Sequence, residues 1–458
     1  MSVATRALTL FLAATTAGCA PLPDDRQAFL VDQLVLDNLR WMSRDPGLLR
    51  AKYRRMAADP YDFMRATATV GLVDWTRPGG DRDPTDFLTI RGTESVLLAG
   101  DPHPENVGVH RPSGDTLLLE VNDLDGAGFG PYLWDVRRGM LGLAVLLDEA
   151  GCRGACAETA LSRYAGDYAS TVLDGGVAVH SGYGPTTTAP AVVADLLEKV
   201  RVEGPARTLF TTETEVVGGE RRLVVDRSID SFDRGDLALT ADERAQVARL
   251  ASKVPVRVLD SARRYGRGVA SLPAVRYILL VDDGDPGPDD DRLLQMREVI
   301  DPLPFPGWRA DLDGSFENNA QRVVWASREL WSRPDADPVL QARPDGAMAF
   351  KVTSLSSWFE GFEHLPLIER VEDGRFDDAD LADWGGWLGA QLATVHLRAP
   401  TREGAPASAA IAADLDGRVE AFVEERVTDT ERSLAGLRRD HSLFVGALAR
   451  LGPDLGAR

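Results

Sequence analysis

An α+β fold is the expectation for this chain of 458 residues, and a few observations carry it. Stretches with apolar residues at helical spacing occupy both ends, and short apolar runs flanked by turn residues fill two central blocks. No repeat of solenoid length joins them. At 44% hydrophobic the chain can bury a large core, and its length suggests roughly two or three lobes.

The elements follow in order. Residues 1–19, MSVATRALTLFLAATTAGC, carry one Arg, an apolar run too short to cross a bilayer, and small residues leading to Cys19. This pattern resembles a bacterial lipoprotein signal, with Cys19 lipidated and the protein held at the cell envelope. Thr16 stands where a strong signal has Leu, so an apolar N-terminal helix on a cytoplasmic protein is the alternative. Residues 20–80 are expected to be helical: Leu30, Leu34, Leu36, Leu39 and Met42 recur at roughly helical spacing, and RAKYRRM supplies a basic face. TRPGGDRDPTD then marks a boundary.

Within 81–240 the short apolar runs FLTI and SVLLAG come first, and NVGVH and TLLLEVND flank RPSGD as a hairpin. PYLWDVRRGMLGLAVLLDEAG, from Pro131 to Gly151, reads as a buried helix. Within 241–400 a glycine-containing loop, RRYGRGVASLP, precedes the strands AVRYILLV and RLLQMREVI, which flank the acidic turn DDGDPGPDDD. Helices are expected around Glu317–Trp331 and Leu381–His396, and the 401–458 region is helical from Ala405 to Leu451.

With 51 basic and 71 acidic residues the net charge is -20, which disfavours nucleic acid and anionic membrane surfaces as partners. Membrane contact is expected only through a lipid on Cys19. Cys152 and Cys156, in GCRGAC, are close enough to bridge if Cys19 is lipidated, which suits an oxidising compartment; two free thiols in a cytosolic loop is the alternative. No second Cys/His pair has the spacing of a zinc site.

Chemistry concentrates in GDPHPEN, residues 100–106. An Asp five residues ahead of an Asn, held by prolines after a strand, puts a proton acceptor and a hard metal ligand into one cleft, the division of labour of a kinase-type catalytic loop. Asp101 is the candidate base and Asn106 the candidate magnesium ligand, with His103 bracing the loop by hydrogen bonding. NDLDGAG adds Asp123 and Asp125 as further oxygen donors. The tetrapeptide DLDG recurs at Asp311 and Asp414, so a solvated turn is its plain reading. Asp135, in the first turn of the next helix, complements the helix dipole or reaches back to fix the loop. In the second block Gly266, Gly268 and Ser271 offer a nucleotide cradle and Arg297 a cation for phosphate, with Glu329 as a partner for Arg297; an ordinary hairpin turn with an exposed Arg is the alternative.

In order, RMAADPYDFMRA, GDPHPEN, VNDLDGAGFGPYLWDVRR, SLPAVRYILL, LLQMREVID, QRVV and LGAQLATVH resemble the uncharacterised bacterial family called domain of unknown function 2252, over Arg54 to His396. That family is distantly similar to the aminoglycoside phosphotransferase branch of the protein-kinase-like fold. The resemblance implies a two-lobed kinase-like fold with the lobes circularly permuted, since the catalytic-loop block precedes the glycine-loop block. It implies magnesium and ATP or another nucleotide as cofactors, with phosphoryl transfer to a small-molecule or protein hydroxyl. The chain departs from the pattern at Ala270 and Pro273, where glycines are expected, and at Arg297, where a Lys is expected. A catalytically degenerate envelope lipoprotein that binds a ligand or partner is therefore the alternative. Metallophosphoesterase chemistry is disfavoured by six scattered histidines with no GNH-type turn.

Overall fold

The computed structural model describes residues 26–76, 85–113, 115–176, 182–226, 235–254, 256–282, 284, 291–300, 316–335 and 337–456. Cys19 and its leader, the repeat at Asp311 and most of the acidic turn lie outside them.

Four helices open the described chain: α1 (Arg26–Arg44), α2 (Pro46–Ala58), α3 (Pro60–Ala66) and α4 (Ala68–Thr76). Asp-Pro pairs punctuate this stretch. Pro46 and Pro60 start α2 and α3, and Asp59 caps α3 by accepting from Asp62 N.

A short strand β1 (Val96–Leu98) leads into GDPHPEN, which ends in a 3-10 turn at Pro104–Asn106. The expected hairpin follows as β2 (Val107–Ser113) and β3 (Thr116–Val121), and β4 (Gly128–Gly130) pairs back with β1. FLTI is not a strand. Leu88 N and Thr89 N donate to the buried Asp414 carboxylate at 2.8 and 3.2 Å, so the donors a ladder would use are already taken.

Next come α5 (Leu133–Glu149) and α6 (Ala155–Leu173), whose connection is closed by a Cys152–Cys156 disulfide with Cα atoms 5.4 Å apart. β5 (Gly182–Tyr183), α7 (Ala191–Glu203), α8 (Thr208–Glu213) and the hairpin β6 (Thr214–Val217) and β7 (Glu220–Leu223) follow. Then come β8 (Gly235–Ala238), α9 (Ala241–Ala251), β9 (Arg257–Tyr265), β10 (Arg276–Asp282), β11 (Arg292–Glu298), α10 (Asn319–Leu330), β12 (Gln341–Asp345) and β13 (Met348–Leu355). The described chain closes with β14 (Glu360–Gly361), α11 (His364–Glu372), α12 (Asp378–Arg398), α13 (Ala407–Leu415) and α14 (Val419–Leu451).

The fold is thus mixed helix and sheet, α+β. Its largest sheet is antiparallel, in the order β12-β13-β11-β10-β9-β8. On one face Tyr277, Leu279, Leu294, Met296, Phe350 and Val352 pack against Val247 and Leu250 of α9. The alternation of the pleat therefore sends Arg276, Arg297 and Lys351 to the opposite face. A second, helical core joins α5, α6, α7, α12 and α13 to β1, β2 and β3, so within 241–400 the helix α12 packs with α6 rather than on the large sheet. Among the described residues no helix is long and apolar enough to cross a membrane.

Candidate functional site

The two motif loops meet because glycines let them cross. Gly100 has φ +90°, and a Cβ there would sit 2.1 Å from Gly126 O, so GDPHPEN and DLDG press together backbone to backbone. The hairpin reinforces the contact: Val107 lies opposite Val121, and Asn122 N donates to Asn106 O at 2.9 Å. Arg322 of α10, 1% exposed, donates to Asp125 O at 2.9 Å and also to Ala127 O, fixing the second loop from the far side.

Asp135 does reach back. Its carboxylate accepts from Ala99 N (2.7 Å) and Gly100 N (2.9 Å), immediately before Asp101, and lies 3.2 Å from His396 Nε2. Asp101 is held by Arg138 of α5, whose Nε donates to Oδ1 at 2.6 Å while its Nη2 donates to Met64 O. Asn106 donates its Nδ2 to Asp101 O at 2.8 Å, so its amide oxygen is the atom it can offer a cation.

His103 braces the loop differently from expectation. Its Nε2 is 3.7 Å from Asp101 Oδ2, too long for a hydrogen bond, and its Nδ1 has no partner. The ring, 2% exposed, packs edge-on to Tyr61, and burial pushes its pKa down to about 4, so it stays neutral. Glu105 ties the loop to α3 through Arg65 (2.6 Å) and to the start of α11 through His364 (2.7 Å), and His364 also meets Asp59, the cap of α3, at 3.1 Å.

The sheet supplies the opposite wall. Arg276 lies directly opposite Arg297, and Arg297 opposite Lys351, so three cations form a row across β10, β11 and β13. Arg297 grips Asp123 with two hydrogen bonds (3.0 and 2.9 Å) and meets Asp125 at 2.6 Å, and Lys351 Nζ donates to Asp125 at 2.9 Å. Burial would raise the Asp123 carboxyl, but the Arg297 and Lys351 charges and the Arg297 hydrogen bonds hold it well below the usual range. Glu329, the expected partner of Arg297, is exposed on α10; the aspartates take its place because Arg297 is buried beneath the loops.

Arg276 is the residue that sequence reading passed over. It is 7% exposed, its Nη2 donates to Ser271 Oγ at 2.6 Å, and its Nε has no partner. Among the described residues no carboxylate forms an ion pair with it. Burial, then the neighbouring Arg297, push its pKa down to about 9. Gly268, with φ +69°, lies against it: a Cβ there would be 3.3 Å from Arg276 Nη2. Gly266, also expected in the cradle, is buried with its carbonyl accepting from Arg55 and is not among the residues lining the cavity that Gly268 borders.

Asp101, His103, Asn106, Asp123, Asp125, Gly268, Ser271 and Arg297 line one cavity of about 380 Å³ with Arg276. The N-terminal helices form its third side, with Asp37 and Arg40 of α1, Lys52 of α2 and Arg65 of α3. Lys52 donates to Asn38 Oδ1 (2.9 Å) and Ala270 O (3.0 Å), and burial pushes its pKa down to about 8. Its basic segment, RAKYRRM, gave the only sequence hint of this wall.

The bacterial family DUF2252, described as an uncharacterized protein conserved in bacteria, matches residues 44–447. The chain belongs to this family. No curated protein and no solved structure matches it. In this DUF2252 member both motif loops, the cation row and Lys52 fall inside the matched span, whereas Asp37 and Arg40 precede it.

Proposed function

We propose that this DUF2252 protein transfers a phosphoryl group from a magnesium-bound nucleotide to a hydroxyl, on a kinase-like scaffold whose two parts are permuted in sequence and which Cys19 tethers to the envelope. The observation that carries the reading is the convergence of Asp101, Asn106, Asp123 and Arg297 on one cavity together with the Gly268–Ser271 loop. The order of the large sheet supports it: a glycine loop joins β9 to β10, a phosphate-pairing cation sits on the third strand, β11, and a helix, α10, follows. One part of that pattern differs: a kinase helix offers Glu to its strand cation, whereas here Asp123 and Asp125 pair with Arg297 and the buried Arg322 of α10 donates to the Asp125 and Ala127 carbonyls.

The donor set suits magnesium. Among the described residues no cluster of three or more His, Cys, Asp or Glu could hold a metal. Magnesium, however, is commonly held by one or two carboxylates with the phosphates and water completing the shell. Asp123 and Asp125, with the Asn106 amide oxygen, would hold it, and when bound it supplies charge neutralisation on the phosphate oxygens. Asp101, oriented by Arg138, would accept the proton of the attacking hydroxyl. Arg297 and Lys351, released from the aspartates, would pair with phosphate.

The test is transfer of labelled γ-phosphate to a panel of hydroxyl acceptors with magnesium. Asp101→Asn should lower turnover at least about 100-fold with nucleotide binding retained, as general-base loss does. Equal turnover in wild type and this variant would sink the assignment. One observation favours a second reading, ligand binding without transfer: Arg297 and Lys351 already satisfy both aspartates. That reading expects nucleotide binding that is independent of magnesium, and no turnover with any acceptor.

A further inference from the structure

The cavity holds a buried cation that the phosphoryl-transfer reading leaves unused. We propose that Arg276, Ser271 and the Gly268 turn form an oxyanion subsite that takes a terminal phosphoryl group, built from residues distinct from the Asp123–Arg297 pair. The identity of the anion as phosphate rests on the proposed function; the existence of an anion subsite does not.

Arg276 is more than nine-tenths buried and lines the cavity. Among the described residues its side-chain hydrogen bond goes to a neutral hydroxyl, Ser271 Oγ, and its Nε has no partner. Like charges directly opposite on adjacent strands destabilise a sheet, and Arg276 faces Arg297 across β10 and β11. Arg297 is in direct contact with Asp123 and Asp125, whereas Arg276 forms no ion pair among the described residues and feels those two charges only at longer range. A buried guanidinium left in this state costs stability, and the missing counter-charge is what an anionic ligand supplies. Its unused donors have the fork geometry that suits phosphate oxygens.

The turn beside it is built for close approach. Gly268 adopts φ +69°, where a side chain would be strained and would crowd Arg276 Nη2. Ser271 holds the guanidinium in place and is itself a donor for a phosphate oxygen. Lys52, across the cavity, bonds Ala270 O of the same turn at 3.0 Å, so a second cation backs the loop. Within a chain of net charge -20, the buried Arg276 and Lys52 give this turn a local positive charge that favours an anion.

The phosphoryl group could belong to the tail of the nucleotide or to a phosphorylated second substrate, and the two are separable. The experiment uses the purified chain without magnesium, titrated with inorganic pyrophosphate and followed by thermal unfolding and calorimetry. Pyrophosphate should raise the melting temperature of wild type and of Asp123→Asn, and the rise should vanish in Arg276→Met. In anion-free buffer Arg276→Met should melt at or above wild type, because a buried charge without an ion-pair partner is removed. Ser271→Ala, which keeps the charge, should bind about tenfold more weakly and still fold, whatever the fate of the Met variant. No response in wild type, or an undiminished response in Arg276→Met, overturns the subsite, as does a Ser271→Ala titration identical to wild type together with a destabilised Arg276→Met. Adding ADP then assigns the source: competition places the subsite on the nucleotide tail, and simultaneous binding places it on the second substrate. Pyrophosphate binding without any ADP binding would defeat the nucleotide reading and leave the subsite standing.

Discussion

The loop wall and the sheet wall of the cavity follow opposite rules. On the loop side the charged groups are spoken for, with the neutral His103 ring as the exception: Asp135 caps Ala99 and Gly100, Arg138 holds Asp101, and Arg322 takes the carbonyls of Asp125 and Ala127. On the sheet side Arg276 and Arg297 each leave Nε without a partner, and three cations stand in one row. Satisfied groups hold a fold, and buried unsatisfied charges weaken it. The difference teaches that the loop wall is the rigid mount and the sheet wall is where a ligand completes the structure.

Breaking the loop wall should have the largest effect. Gly100→Ala places a Cβ into Gly126 O at a positive φ, so denaturant unfolding should show a loss of about 4 kcal/mol or more, or no folded protein. A loss under about 1 kcal/mol would mean the loops are free to separate. Arg322→Met leaves one buried and one half-buried carbonyl without this donor, and the same measurement should give a loss of about 2–4 kcal/mol.

A smaller effect sits behind the loop, in the Asp59–His364–Glu105 chain. Burial alone would lower the His364 pKa, but hydrogen bonds to Asp59 and Glu105 and their charges push it up to about 10 from an ordinary 6.5. A folded-state pKa above the unfolded one contributes stability that is complete below pH 6.5 and lost as the pH rises towards 10. Wild type should therefore lose about 2 kcal/mol more than His364→Gln across that window, read from unfolding at a series of pH values. Parallel profiles would remove His364 from the mount. The smallest effect belongs to the Cys152–Cys156 bridge, which closes a short loop beyond the opposite end of α5 from Asp135 and Arg138. Reduction should cost no more than about 2 kcal/mol and leave ligand binding unchanged.

Legibility in the sequence followed the range of the interactions. The β2–β3 hairpin, the α5 helix and the β10–β11 pair were readable because their signals are local: alternation, turn residues and punctuation by Pro and Gly. The approach of Asp101, Asn106 and Asp123 was readable for the same reason, since one hairpin separates the loops. Arg276 was hidden in plain text. A charge inside the apolar strand AVRYILLV announces a buried ion, but only the pairing register reveals that its neighbour is Arg297 rather than a carboxylate. Lys351 and the helical wall with Lys52 come from distant sequence, and nothing local ties RAKYRRM to the glycine loop. FLTI misled because its backbone partner, Asp414, lies more than three hundred positions away and resembles an idle copy of DLDG.

Calorimetric titration of ATP into the wild-type protein and into Asp123→Asn, each with and without magnesium, tests the central claim most directly. If the loop carboxylates and the sheet cations form one phosphate and metal site, magnesium should tighten binding to wild type about tenfold or more and do nothing for the variant. Equal affinity in all conditions, or no heat at any, would contradict it.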